Sequence, residues 1–293
     1  MASLKEVRNR ISSVNSTMQI TSAMKMVSAA KLRRAQDAVT QMRPYSEKLQ
    51  EILQGVSTGL DTSENVYTRP DSNESVLIVA ITSNRGLCGA FNSQVIKRVN
   101  SLIENEYAGR RITVLTFGKK GEDAFRKTEY FIKGTLLPRH TNEIFDNLDF
   151  KHASVAAGKI MTAYKAKQFD KVVLVYNSFK NAASQIITTE QFLPVVPMTT
   201  EDGGVASNDY IFEPNKEEIV SDLIPKSLKT QFYKALLDSF ASEHGARMTA
   251  MHKATDNASE MLKDLKLTYN KARQASITNE ILEIVGGAEA LNG

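Results

Sequence analysis

Leu4-Lys-Glu-Val-Arg-Asn-Arg-Ile-Ser-Ser-Val-Asn-Ser-Thr-Met18 sets apolar residues at Leu4, Val7, Ile11, Val14 and Met18, in alternating steps of three and four. The same alternation resumes at Leu32, Ala35, Val39, Met42, Leu49, Leu53 and Val56. A stripe of that period, sustained over about seven heptads, is the seam of a coiled coil. The alternation lapses at Thr21, Lys25 and Ser28, where Met24 and Val27 move the apolar stripe sideways, so something other than a uniform partner helix is expected there. Pro44 lies inside the run and predicts a bend. Gly55, Gly59 and the polar segment from Asp61 to Ser75 are expected to end the helix.

A second long helix is expected from about Asn215, after Tyr210-Ile-Phe-Glu-Pro214, to about Val285, with Pro225 near its start. Its expected seam is Met251, Ala254, Ala258, Met261, Leu265, Thr268, Ala272 and Ala275, largely small residues that let two helices approach closely. At 1.5 Å per residue the two helices reach roughly 80 and 100 Å, too long to be buried within one globule. Between them, Val76–Ile81, Ile112–Phe117 and Val172–Tyr176 read as buried strands. They alternate with helical patterns over 90–105, 119–127 and 151–167, and Gln185–Thr189 reads as an added edge strand. Such alternation indicates a doubly wound α/β sheet. The expected architecture is a long antiparallel coiled coil of the N- and C-terminal helices, residues 1–60 and 209–293, with an inserted α/β domain at 61–208. The longer second helix then projects past its partner.

Composition narrows the function classes. The longest apolar run, Val76 to Ile81, is strand-sized, so any membrane role is expected to be peripheral. One cysteine, Cys88, excludes an internal disulfide framework and a cysteine-rich zinc site and points to a reducing compartment. Net charge is +4, unevenly distributed: residues 1–36 carry Lys5, Arg8, Arg10, Lys25, Lys31, Arg33 and Arg34 against Glu6 alone. A transit peptide or a nucleic-acid arm shows the same bias. The heptad pattern running straight through the segment argues against the first, and the lack of interleaved aromatics against the second.

Ser83-Asn-Arg-Gly-Leu-Cys-Gly89 follows a strand and precedes a helix, where nucleotide folds place a phosphate loop, but it matches neither glycine-rich phosphate motif. A tight turn using its glycines, or a partner contact at an exposed sheet edge, are the competing readings. Cys88 reads as a small packed residue, not a nucleophile. His140, His152, His244 and His252 lack metal-ligand spacing and read as surface residues. The C-terminal segment is less ordinary: a basic, amide-bearing patch, Lys271 to Thr278, leads to an apolar tip, Ile281-Leu-Glu-Ile-Val285. Free ends are normally polar and frayed, so an apolar tip on a projecting helix predicts an enclosing partner.

Three separated blocks carry a resemblance: Ile11-Ser-Ser-Val14 with Ile20-Thr-Ser-Ala-Met-Lys-Met-Val-Ser-Ala-Ala-Lys31, Arg85-Gly-Leu-Cys-Gly89, and Tyr269-Asn-Lys-Ala-Arg-Gln-Ala-Ser-Ile-Thr278 with Glu280 to Val285. In this order they closely resemble the gamma subunit of F-type ATP synthases, most strongly at the two ends. The resemblance implies a rotor shaft with no catalytic residue, cofactor or metal of its own. Nucleotides and Mg are expected on alpha and beta subunits. Implied partners are alpha, beta, epsilon and a membrane ring of c subunits, with no nucleic acid and no direct membrane insertion. The implied location is peripheral, at the cytoplasmic face of the inner or plasma membrane. Carried over by position, Met24, Lys25, Arg33, Arg34, Arg273 and Gln274 face beta, and Arg85, Gly86, Leu87, Cys88 and Gly89 form a ring-facing turn. Ile281, Leu282, Ile284 and Val285 turn in an apolar collar. A stand-alone coiled-coil adaptor is the alternative.

Overall fold

The computed structural model describes residues 4–57, 66–69, 74–132, 136–182, 184–195 and 216–292. Two long helices, α1 (Leu4–Ser57) and α5 (Lys216–Asn292), flank strands β1 (Ser75–Ile81), β2 (Arg111–Phe117), β3 (Lys171–Phe179) and β4 (Gln185–Leu193). Helices α2 (Phe91–Ser101), α3 (Lys119–Phe125) and α4 (Phe150–Lys165) lie between the strands in sequence, α2 being extended by a π-helical turn, Leu102–Glu106. The fold class is the expected one, long terminal helices around a central α/β sheet. Helix α1 continues through Pro44 and Gly55 to Ser57, and α5 runs past Val285 through Gly286 and Gly287 to Asn292. Gly59, most of the polar segment after it, Tyr210–Pro214 and the expected domain boundaries at 60/61 and 208/209 lie outside the described residues.

The sheet order is β2-β1-β3-β4. β1 pairs in parallel with β2 and β3, and β4 adds an antiparallel edge to β3. The sheet is therefore mixed, because a short connection from β3 to β4 permits only a hairpin. Both faces of β1 are buried, as its uninterrupted apolar sequence requires. Leu77, Val79 and Ile81 pack with Leu115, Phe117, Leu174, α4 and the Ile224–Leu236 part of α5. Val76, Ile78 and Ala80 pack on the opposite side with Val95 and Val99 of α2, Leu102 and Val175. Phe232 meets Phe117 edge to face at 5.3 Å between ring centroids. This anchors α5 to the sheet through two large rings, an arrangement favoured over face-to-face stacking.

The chain divides into two compact units, residues 29–247 and a pairing of 1–28 with 248–293. Within the latter, Val7, Thr21, Ser28, Met251, Ala258 and Leu262 are buried. Thr21 and Ser28 thus stay on the seam that the apolar pattern appears to leave, while Ile20, Met26 and Val27 face outward. The reason is chemical: the Thr21 and Thr255 hydroxyl oxygens lie 2.8 Å apart, and with one proton each, one donates across the seam while the other donates to its own helix, at the Met18 or the Met251 carbonyl. Small hydroxyls therefore replace apolar knobs without leaving the seam. With Thr21 level with Thr255, antiparallel pairing sets Leu4 level with Ala272, and burial along α5 ends at Ser276, just beyond.

The seam of α5 also differs from expectation. Met261 is exposed, as are Thr268 and Ala275, whereas Leu262 is buried and Leu265, Tyr269, Ala272 and Ser276 are partly covered. Two heptad flanks adjoin the Met251–Ala258–Leu265–Ala272 row, and helix rotation selects the one containing Thr255 and Leu262.

Gly118 closes the turn after β2 at φ 101°, and a Cβ there would fall 2.2 Å from the Thr82 carbonyl oxygen. Gly118→Ala is expected to destabilise the chain by about 2–4 kcal/mol, read as a lower denaturation midpoint with unchanged cooperativity. A midpoint equal to that of the unsubstituted chain would show that the turn relaxes freely.

Candidate functional site: the Ser83–Gly89 turn and its helix support

The turn after β1 is built by short-range hydrogen bonds. Asn92, in the first turn of α2, accepts from the Ser83 backbone N–H at 2.9 Å and donates to the Ser83 hydroxyl at 2.8 Å. Ser83 Oγ donates in turn to the Arg85 carbonyl at 2.7 Å. Asn84 accepts from the Lys119 N–H, and Thr82 Oγ1 accepts from the Gly121 N–H, joining the turn to α3. Leu87 and Gly89 take left-handed backbone conformations, φ 62° and 60°. For Gly89 that is unstrained; for Leu87 it persists only where surrounding bonds enforce it.

The enforcing group is on α5. Arg247, buried, donates from Nη2 to the Arg85 carbonyl at 2.8 Å and the Gly86 carbonyl at 3.2 Å, and from Nη1 to Glu243 Oε1 at 2.6 Å. The turn is therefore not at an exposed sheet edge: β1 is an inner strand, and a helix side chain covers the backbone of 85 and 86. Its carbonyls point at a cation and the Ser83 and Lys119 N–H groups are consumed by asparagines, the opposite polarity to a phosphate cradle.

His244 also departs from its surface reading. It is buried edge-on to Phe240 at 4.4 Å, beside Arg247. Burial first, then the charges of Arg247 and Lys31, push its pKa down to about 3, so it is neutral. Burial raises Glu243 despite the opposing pull of Arg247. His140, His152 and His252 are exposed as expected. Cys88 is 1 % exposed and its thiol is pushed up by burial, which suits packing and not nucleophilic attack.

Most of the remaining expected residues are surface side chains. Arg33, Arg34, Arg273 and Gln274 are exposed, and Met24 and Lys25 half-buried. Ile281, Leu282, Ile284 and Val285 are all at least half exposed on continuous helix. Arg85, Leu87 and Gly89 are exposed in the turn, Gly86 half-buried and Cys88 inside. Sequence reasoning missed Glu243 and Arg247; their i, i+4 spacing is the ordinary signal of a solvated pair, and nothing in it marks burial. A groove of about 480 Å³, lined in part by Arg139, His140, Glu143, His152 and Lys159, contains none of the expected site residues. Among the described residues no cluster of histidine, cysteine and carboxylates is arranged to hold a metal ion, and no helix is long and apolar enough to cross a membrane.

A neutral buried His244 binds a proton only in the unfolded chain between pH 6.5 and 3, so stability falls as pH falls through that window. The limiting slope for one group is about 1.4 kcal/mol per pH unit. Glu243, raised in the fold, contributes with the opposite sign. Denaturant melts from pH 7.5 down to 4.5 are therefore expected to show His244→Gln losing less stability with acid than the unsubstituted chain. Parallel pH curves would mean that His244 is protonated in place.

Comparison with known proteins supplies the family. Residues 3–291 match the family model described as ATP synthase. The chain is 61 % identical over 294 residues to the ATP synthase gamma chain of Flavobacterium johnsoniae, and 60 % identical over 294 residues to that of Christiangramia forsetii, covering all of both partners in each case. Its fold matches a chain in the Euglena gracilis mitochondrial ATP synthase OSCP/F1/c-ring structure, with a TM-score of 0.65 over 98 % of this chain and 94 % of that one at 21 % identity. A chain from the Tetrahymena thermophila central stalk/c-ring structure matches at TM-score 0.56 and 26 % identity, over 80 % of this chain and 99 % of that one. With identity of this order over the full length of both chains, the chain belongs to the ATP synthase gamma chain family.

Proposed function

We propose that the chain is a non-catalytic axle that carries ion-driven rotation of a c ring to the catalytic beta subunits, where shaft asymmetry sets three different conformations. The observation that carries this reading is the end of α5. Its burial stops at Ser276, yet the helix continues with Ile277, Ile281, Leu282, Ile284 and Val285 exposed. Five large apolar side chains on one unpaired helix require a surrounding surface, and apolar contact, being non-directional, tolerates turning.

In this reading the shaft comprises 1–60 and 209–293 and the insert 61–208. Alpha and beta enclose the shaft, epsilon and the c ring meet the insert, and nucleotide with Mg resides on alpha and beta. Lys25, Lys31, Arg33 and Arg34 present a basic sleeve, with Met24 beside it, to an acidic part of beta; exposed ion pairs of this kind are weak individually and compatible with sliding. Arg273 and Gln274, exposed on α5, engage a loop of beta, and the Arg85–Gly89 turn faces the c ring. The complex sits at the cytoplasmic face of the membrane with this chain peripheral.

Arg273→Ala combined with Gln274→Ala is expected to lower coupled ATP synthesis by tenfold or more in membranes containing the complex, while leaving the helicity of the purified chain unchanged. Equal loss of helicity would make the two residues structural. Co-purification with alpha and beta is required. A chain that instead sediments as a homodimer and never joins them would favour the adaptor reading.

A further inference from the structure

Leu87 has no intrinsic reason to occupy the left-handed region, yet it does so with 64 % of its side chain exposed. An apolar residue held outward in a strained conformation needs a brace. The Arg85 carbonyl, two residues before it, accepts from Ser83 Oγ at 2.7 Å, from Arg247 Nη2 at 2.8 Å and, more weakly, from the Cys88 thiol at 3.9 Å. The Gly86 carbonyl accepts from the same guanidinium through Nη2 at 3.2 Å and Nε at 3.3 Å. Nη1 is fixed by Glu243, so the planar fork has little freedom to swing away. Nearby, Gly245 lets α5 approach the β3–β4 connection: a Cβ there would meet the Ala182 backbone at 3.2 Å. The helix is thus held close enough for Arg247 to reach the turn.

We propose that Arg247 is a positioning residue: by gripping the carbonyls of Arg85 and Gly86 it locks the turn so that Leu87 stands outward as an apolar contact for the c ring. This rests on the rotor reading for its functional consequence, but the grip itself is a property of this chain. A buried guanidinium spent on two main-chain carbonyls of one exposed turn stabilises that turn's shape specifically. Residues of α5 facing the sheet already hold the helix in place through Phe232 and Leu236. Cys88, adjacent to Leu87 and 1 % exposed, reports on the lock: its sulfur lies 3.2 Å from Asn92 Nδ2, and the turn must open to release it.

The test has two readouts. On the purified full-length chain, Arg247→Gln is expected to raise the rate of maleimide labelling of Cys88 at least tenfold. In membrane vesicles carrying the assembled complex, the same variant is expected to lower the ratio of ATP-driven ion pumping to ATP hydrolysis at least threefold at equal assembled amount. Arg247→Lys, which keeps the charge beside Glu243 but not the fork, is expected to fall between. Leu87→Asn, which tolerates the same backbone conformation, is expected to keep Cys88 protected and still lower the pumping ratio. An unchanged labelling rate in Arg247→Gln overturns the lock. An unchanged pumping ratio in Leu87→Asn overturns its purpose, and decides the matter even where Arg247→Gln fails to assemble. Vesicles in which pumping does not require the unsubstituted chain at all would sink the rotor reading instead, leaving the labelling result to judge the lock alone.

Discussion

One helix must satisfy three successive environments, and most of the structure follows from how α5 does so. Between Ile224 and Arg247 it is buried on nearly every side, with Phe232, Ala235 and Leu236 against the sheet and Ser239, Ser242 and Glu243 also enclosed. From Met251 to Ser276 only a stripe is covered, and beyond that every described side chain is exposed. A helix supplies its own backbone hydrogen bonds wherever it goes, so only side chains need change along its length. That is why large rings give way to alanines and hydroxyls, and these to a mixed tip.

The buried charge on this helix is the least obvious part of the arrangement. Desolvating Arg247 and Glu243 is unfavourable, and their mutual attraction alone rarely compensates. Here the remaining guanidinium protons are satisfied by main-chain carbonyls, so no donor aimed at the turn is left idle. The neutrality of His244 follows first from its burial and then from the same cation: a second positive charge there would be unhydrated and repelled by Arg247 and Lys31. The pocket of charge is thus kept at one guanidinium and its carboxylate partner, a local specificity device and not a general source of stability.

The long helices, the strands of the sheet and the edge position of Gln185–Thr189 were legible because they depend on periodicity and uninterrupted apolar runs. The antiparallel sense of β4 was not, since alternation does not report strand direction. The lapse at Thr21 and Ser28 was visible but misread: a hydroxyl can remain on a seam when a matching hydroxyl faces it, and Thr255 is 234 residues away in sequence. Periodicity does not separate Met261 from the buried Leu262, because the two heptad flanks are equally regular in sequence. At the turn, the glycine and cysteine pattern does not disclose the supporting group, Arg247, whose burial only tertiary packing creates. His244 was misjudged for the same reason.

The pairing of residues 1–28 with 248–293 has a consequence in time as well as space. During synthesis the apolar stripe of Leu4, Val7, Ile11 and Val14 emerges first, while the residues level with it, Leu262 to Ala272, follow about 250–270 residues later. At about 5–20 residues per second that is a wait of roughly 12 to 54 s. Throughout it the nascent chain presents an amphipathic helix with no mate, flanked by basic residues that resist self-association. The charge bias of the first segment sets a repulsion between unfinished chains against the attraction of their unmated apolar stripes.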